Sequence, residues 1–259
     1  MPRLQPFFTF FGGKWLAAPH YPEPEHVTII EPFAGSAGYS VRYYYHKIIL
    51  VERDPQIAAT WRYLLKVKPS EILALPDVRI GETSEDCQSV DDLNVCEEAR
   101  LLISWWLDSC VYHTNKFPSA RMRSNTRNSQ FWGPEIRQRI ADQIPHLQHW
   151  TIIEGGYQDA PNCKATWFID PPYQVTGKYY KYGSSNIDYS ALGDWCRSRK
   201  GQTVVCENVG ADWLPFQPWR DTQATHLSKH KDKVSHEAIW TDQPFDFDPP
   251  IVFDEGEWE

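Results

Sequence analysis

Five short runs of apolar, largely β-branched residues, each closed by turn formers, constrain this chain more than any other feature: 27–33, 47–52, 150–154, 165–170 and 203–207. Apolar on consecutive positions rather than alternate ones, they read as strands buried on both faces. Helical periodicity fills the gaps between several of them. Residues 55–66 form one such stretch, and 189–199 place Leu192, Trp195 and Cys196 on one face at i, i+3 and i+4, with Asp188 as the cap. Strands alternating with helices predict an α/β fold with a mostly parallel sheet covered on both sides.

Residues 69–148 interrupt that rhythm. A 3.6-residue period runs through Leu101, Leu102, Trp105 and Trp106 over 97–107, and through Ile136, Ile140 and Ile144 over 134–144; between them, 108–133 is polar, basic and aperiodic. The alternation resumes with no Gly/Ser linker, so a mainly helical insert is expected and an independent second domain is the alternative. The expected organisation is an α/β domain over 1–68 and 149–241, the insert over 69–148 and an acidic tail over 242–259.

A length of 259 residues allows one large or two small domains, and 41% hydrophobic with 23% charged residues excludes wholesale disorder. No apolar run approaches the roughly 20 residues that span a bilayer, and the opening Met1-Pro2-Arg3-Leu4-Gln5-Pro6 lacks the basic-then-apolar layout of a signal peptide, so a cytoplasmic protein is expected. Cys87, Cys96, Cys110, Cys163, Cys196 and Cys206 form no CxxC pair and no zinc-type spacing; free thiols and no metal are expected. Net charge is −8, but seven acids and no base lie from Asp242 onward, leaving 26 basic against 27 acidic residues in 1–241. Within that near-neutral body, Lys116, Arg121, Arg123 and Arg127 follow one another with no acid between them, and 229–233 form a second basic cluster. Such local patches are what a phosphate backbone meets.

Two strand ends carry chemistry. The run Thr28-Ile29-Ile30-Glu31-Pro32-Phe33-Ala34-Gly35-Ser36-Ala37-Gly38 is a strand entering a small-residue turn that lets a ligand approach the backbone, and Glu52 ends the next strand at the spacing where a carboxylate takes ribose hydroxyls. Asp170-Pro171-Pro172-Tyr173 closes the strand over 165–170. Its prolines stiffen the turn and remove two N–H donors. What is left is an acceptor carboxylate, the Pro171 carbonyl and an aromatic face, suited to a planar exocyclic amine and the base that carries it.

Together with Phe10-Phe11-Gly12-Gly13-Lys14, and in this order along the chain, these segments resemble the FxGGK, EPFxGxG and DPPY motifs of the Dam-type DNA adenine-N6 methyltransferases. The resemblance runs from Phe7 to about Trp240. It implies a Rossmann-like class I S-adenosylmethionine-dependent methyltransferase sheet with a target-recognition insert, and an enzyme that methylates adenine N6 in DNA after flipping the base from the duplex. By position it implies that Phe10, Gly12, Gly13, Lys14, Glu31, Phe33, Ala34, Gly35, Glu52, Tyr157 and Asp170 hold S-adenosyl-L-methionine. Asp170, Pro171, Pro172 and Tyr173 would form the catalytic adenine pocket. Lys116, Arg121, Arg123, Asn125, Arg127 and Asn128 lie where the family keeps its target-recognition hairpin, with Arg and Asn suited to base edges and Lys to phosphate. DNA is the implied partner, and a cognate restriction endonuclease a further candidate. Glu207 departs from the Ser-Asn strand end usual in the family, and Gly156 stands where some members carry an acid. Residues 236–240 resemble a late strand that closes the sheet. Cytosine N4, single-stranded DNA or RNA remain alternative acceptors, and a catalytically silent nucleic-acid binder is the alternative of another class.

Overall fold

The computed structural model describes residues 2–108, 113–124, 130–223 and 234–244. In chain order these hold strands β1 (Thr28–Glu31), β2 (Lys47–Glu52), β3 (Thr151–Glu154), β4 (Thr166–Ile169), β5 (Thr203–Asn208), β6 (Gln217–Gln223) and β7 (Val234–Thr241). The α-helices are α1 (Gly38–Arg42), α2 (Pro55–Leu64), α3 (Pro69–Leu73), α4 (Glu97–Trp105), α5 (Ala120–Ser124), α6 (Pro134–Gln143) and α7 (Tyr189–Arg197). One seven-stranded sheet runs in the order β3-β2-β1-β4-β5-β7-β6. Strands β1 to β5 are mutually parallel, with Ile29 beside Ile48, Ile30 beside Trp167 and Phe168 beside Val204, whereas β7 is antiparallel to both β5 and β6. The chain therefore starts at the centre, winds outward through β2 and β3, and returns to lay β4 against the other side of β1. In open α/β sheets, ligands bind outside the carboxyl ends of the strands at such a reversal.

The apolar runs are continuous because both faces of the sheet are covered. Ile29, Ile48, Leu50, Phe168, Val204 and Cys206 enter one buried cluster, while their immediate neighbours Ile30, Ile49, Val51, Trp167, Ile169 and Val205 enter the other. The second face is covered by Leu192 and Cys196 of α7 and by Trp213. The first takes Trp61 of α2, the N-terminal Phe7 and Phe8, and Leu102, Trp105, Ile136 and Ile140 from α4 and α6, so the insert shares the core of the sheet. Much of the aromatic content is spent at this seam: Trp61 stacks on Trp150 at 5.6 Å and receives the edges of Phe7 and Phe8 at 5.9 and 5.5 Å.

Helix starts follow side-chain caps. Asp54 accepts the Gln56 N–H at 2.9 Å ahead of α2, and Asp188 accepts that of Ala191 at 3.0 Å ahead of α7. The four helices expected from periodicity are present but one to two residues shorter at their C-termini, and the expected aperiodic stretch 108–133 contains the short α5. Strand β6 has no counterpart in the sequence reading, because Gln217-Pro218-Trp219-Arg220-Asp221-Thr222-Gln223 is polar and holds a proline. It lies at the sheet edge, where such a sequence is tolerated, and its register shifts between Pro218 and Arg220. Asp242, the first residue of the expected acidic tail, accepts the Thr203 N–H at 2.7 Å.

Gly38 is where the N-terminal segment crosses α1. A Cβ there would overlap the Trp15 backbone nitrogen and lie 2.8 Å from the Lys14 backbone. Neither is a flexible side-chain end, so Gly38→Ala should destabilise the fold by about 2 kcal/mol or more, measured as a lowered urea midpoint at unchanged m-value.

Candidate functional site

The turn after β1 is built from unusual backbone. Gly35 adopts φ +46°, and a side chain there would meet the Phe10 ring at 3.0 Å. Ala37 also lies in the left-handed region at φ 51°, a strain retained only where surrounding contacts over-determine it. Those contacts are at hand: the Gly35 N–H donates to Glu52 Oε2 at 2.9 Å, the Gly35 carbonyl accepts the Trp61 indole N–H at 2.8 Å, and the Ala34 N–H donates to the Val51 carbonyl at 3.1 Å. The acid at the end of β2 is thus joined directly to the turn after β1. Its other oxygen accepts the Asp54 N–H at 2.8 Å. Two backbone donors meet Glu52 at full hydrogen-bond geometry and the Arg53 backbone N–H lies close as well, which still leaves part of the roughly four lone-pair sites of a carboxylate for hydroxyl donors. Burial, opposed by the backbone N–H groups of Asp54, Gly35 and Arg53, pushes its carboxyl up to about 7.

Glu31 is more deeply placed, at 3% exposure, and accepts the Ser40 N–H at 2.6 Å. Burial raises its carboxyl to about 8 against the bonds from Ser40. Phe33, just beyond, stacks on Tyr157 with ring centres 5.6 Å apart, and the edge of Trp195 closes the far side of Tyr157 at 5.0 Å. Gly156 donates its N–H to Asp159 at 2.8 Å.

The N-terminal segment reaches the carboxyl end of β4 through Lys14. Its ammonium bonds Asp170 Oδ2 at 2.9 Å and the Gly12 carbonyl at 3.0 Å, and lies 5.1 Å from the centre of the Tyr173 ring. Burial opposes the charge on Lys14, but the carboxylates of Asp170 and Glu237 outweigh it and hold the ammonium protonated. Burial also raises Asp170 above the usual carboxylate range, with Lys14 working against that rise. The other oxygen, Asp170 Oδ1, is buried and meets no donor at hydrogen-bond geometry among the described residues; the Tyr173 hydroxyl, committed to Glu237, lies near enough to lower the Asp170 carboxyl. An unmet buried acceptor costs about 1–3 kcal/mol, and this one lies at the β1/β4 reversal. The Tyr173 hydroxyl donates to Glu237 Oε2 at 2.6 Å, which fixes the ring beside it.

Of the residues singled out in the sequence, Phe10, Gly12, Gly13, Lys14, Glu31, Phe33, Ala34, Gly35, Glu52, Tyr157 and Asp170–Tyr173 thus occupy one rim. A Cβ at Gly13 would approach Ser36 Oγ to 2.9 Å, so this segment packs directly on the turn. The loop after β4 joins the rim unforeseen: Tyr180 stands 6.1 Å from the Phe10 ring, and Lys181 pairs with Asp54 at 3.6 Å. Glu237 and Tyr180 were missed because each acts through a contact distant in sequence, 64 and 169 positions away; Ser40 meets Glu31 from only nine positions away, but through its backbone N–H, which leaves no signature in the side-chain pattern.

Among the described residues, two of the basic side chains singled out in the insert have local partners. Lys116 pairs with Asp91 at 2.6 Å, and Arg123 donates to the Pro118 carbonyl at 2.8 Å, both contacts within the insert. Arg121 lies on α5 beside them. Asn125, Arg127, Asn128 and the basic cluster over 229–233 lie outside the described residues. Among the described residues no group of three or more His, Cys, Asp or Glu could hold a metal ion, and no helix is long and apolar enough to cross a membrane. Compared with known proteins, the chain matches no protein-family model and no curated protein.

The raised carboxyl of Glu31 has a stability consequence. Its folded value near 8 exceeds the unfolded value of about 4.3, so the protonated form contributes stability that is full below the unfolded value and is lost as pH rises through the folded one. Glu31→Gln removes that dependence. Its melting temperature relative to wild type should climb between pH 5 and pH 9 by about 3 °C or more, the size of one kcal/mol in a chain of this length, as read in parallel thermal melts.

Proposed function

We propose that the protein is an S-adenosylmethionine-dependent DNA adenine-N6 methyltransferase built on a class I methyltransferase sheet. The observation that carries this reading is the buried, unpartnered Asp170 Oδ1 at the β1/β4 reversal, set beside a Tyr173 ring whose orientation is fixed by Glu237. An acceptor that lacks a donor, next to a ring available for stacking, matches the exocyclic amine of a flipped base. Pro171 cannot donate, so its end of the turn offers only a carbonyl.

The other half of the rim fits the methyl donor. Glu52 has acceptor capacity to spare for ribose hydroxyls, Phe33 and Tyr157 offer apolar and aromatic surface, and Glu31 adds a carboxyl on the methionine side. S-adenosylmethionine, when bound, supplies a methyl group activated by its sulfonium. The protein's own residues do the rest. The adenine amine is a poor nucleophile because its lone pair is delocalised into the ring, and hydrogen bonds from it to Asp170 and the Pro171 carbonyl return electron density to nitrogen as it attacks. Lys14 holds the Asp170 carboxylate in place by one oxygen and leaves the other for the amine. The target must leave the duplex to reach this turn, and Tyr173 is the surface on which it stacks.

The test is transfer of labelled methyl from S-adenosylmethionine to duplex DNA, single-stranded DNA and RNA in parallel, with nucleoside mass spectrometry of the product. N6-methyladenine in DNA is the expected outcome; N4-methylcytosine, or methylated RNA alone, would replace the acceptor assigned here. Asp170→Ala should lower transfer by at least about a hundredfold while DNA affinity by gel shift stays within a few-fold of wild type. Equal activity in that variant would sink the mechanism.

A further inference from the structure

Glu207 ends β5, one strand beyond β4, and is fully buried at 0% exposure. Three N–H donors converge on it: Gln174 backbone at 2.9 Å and the Trp213 indole at 3.0 Å on Oε2, and Asn208 backbone at 2.9 Å on Oε1. A carboxylate accepts all three at once, because it has no hydrogen of its own to turn toward any of them. We propose that Glu207 is a positioning residue for the acceptor step, one that clamps the Asp170–Tyr173 turn from both sides; this rests on the methyl-transfer reading of that turn.

The first arm of the clamp is direct. Gln174 follows Tyr173, so a fixed Gln174 N–H fixes the peptide plane that carries the Tyr173 carbonyl. Pro171 and Pro172 supply no N–H, which leaves the turn few backbone donors by which it can be held. The second arm runs through packing. Trp213, oriented by its bond to Glu207, lies 5.6 Å from the Tyr189 ring, and the Tyr189 hydroxyl donates to the Pro172 carbonyl. Residues on each side of Tyr173 are thereby tied to a single carboxylate, while Glu237 holds the ring's far end at 2.6 Å. Asn208 extends the grip, donating through Nδ2 to Thr176 Oγ1 at 3.0 Å. The hydrogen bonds of Glu207 lead to the acceptor half of the rim and to none of Gly35, Glu52, Phe33 or Tyr157. Its loss should therefore disturb the positioning of the target base and spare donor binding.

Glu207→Gln keeps the length of the side chain and one carbonyl oxygen, and Glu207→Ser is too short to reach Gln174. The experiment measures kcat and KM for DNA, donor affinity by calorimetry and amide exchange at Gln174, in both variants and wild type. Expected is a fall in kcat/KM for DNA of about 10–100-fold in the Ser variant, partial recovery in the Gln variant, donor affinity within about twofold throughout and faster Gln174 exchange in the order of the loss. Both variants at wild-type kcat/KM, or donor affinity falling in step with transfer, would overturn the proposal. Should the Ser variant fail to fold, the Gln variant decides by the same two comparisons. A wild-type protein that transfers methyl to no acceptor would instead overturn the functional reading, and this inference with it.

Discussion

Lys14 and Asp170 meet at 2.9 Å across 156 positions of sequence, and the rim of the sheet is organised around that contact. The N-terminal segment has no regular secondary structure to hold it. It is pinned by aromatic packing at Phe7 and Phe8, by the Trp15 indole bonding the Leu4 carbonyl at 2.8 Å, and at its working end by the ion pair. Removing either partner leaves the other charge poorly solvated, which is why such pairs are costly to break even where their net worth is small. The pair also uses only one carboxylate oxygen, so the ion that fixes Asp170 in place leaves it able to accept.

Three further acids of the rim are held by a different device. Glu31, Glu52 and Glu207 are each bonded by backbone N–H groups rather than by lysine or arginine. Backbone donors cost no side-chain entropy and are placed by the strand ends themselves, so these carboxyls keep fixed positions. Among the described residues no lysine or arginine bonds any of the three, although Lys14 acts on Glu31 from a distance, and burial raises all three. On the proposed reading, binding of the sulfonium-bearing donor would be coupled to loss of protons from Glu31 and Glu52 near neutral pH.

How much of this was legible in the sequence depended on distance along the chain. Strands β1 to β5 and helices α2, α4, α6 and α7 were readable, because each strand is a continuous apolar run closed by turn formers, each helix carries its own period, and Asp54 and Asp188 act as caps only a few residues away. The turn after β1 and the Asp170–Tyr173 turn were also visible, since both are contiguous. Strand β6 was not: Pro218 and its polar neighbours join the sheet only because β7 presents an edge to them. The bond from Tyr173 to Glu237 spans 64 positions and that from Gln174 to Glu207 spans 33, and no local pattern announces either. Glu207 looked like an unexplained departure in the sequence for the same reason. Its partners come from the loops after β4 and β5, and only the parallel pairing of those strands brings their ends together.

That pairing also accounts for the division of labour along the rim. Strands β1 and β2 contribute Glu31, Gly35 and Glu52, a half stiffened by the left-handed turn and by bonds among its own residues. Strands β4, β5 and β7 contribute Asp170, Glu207 and Glu237, a half in which the proline-rich turn cannot hold itself and is gripped by neighbours. The halves are joined through long side chains: Lys181, from the loop after β4, pairs with Asp54, just beyond β2, at 3.6 Å, and Lys14 ties the N-terminal segment, which packs on the turn after β1, to Asp170 at 2.9 Å. Neither contact involves the bond between Gly35 and Glu52, so the Asp170 turn can shift slightly without disturbing it. On the methyl-transfer reading proposed above, the donor would lie in the preformed half and the acceptor against the adjustable one, with their reactive atoms meeting at the reversal between β1 and β4.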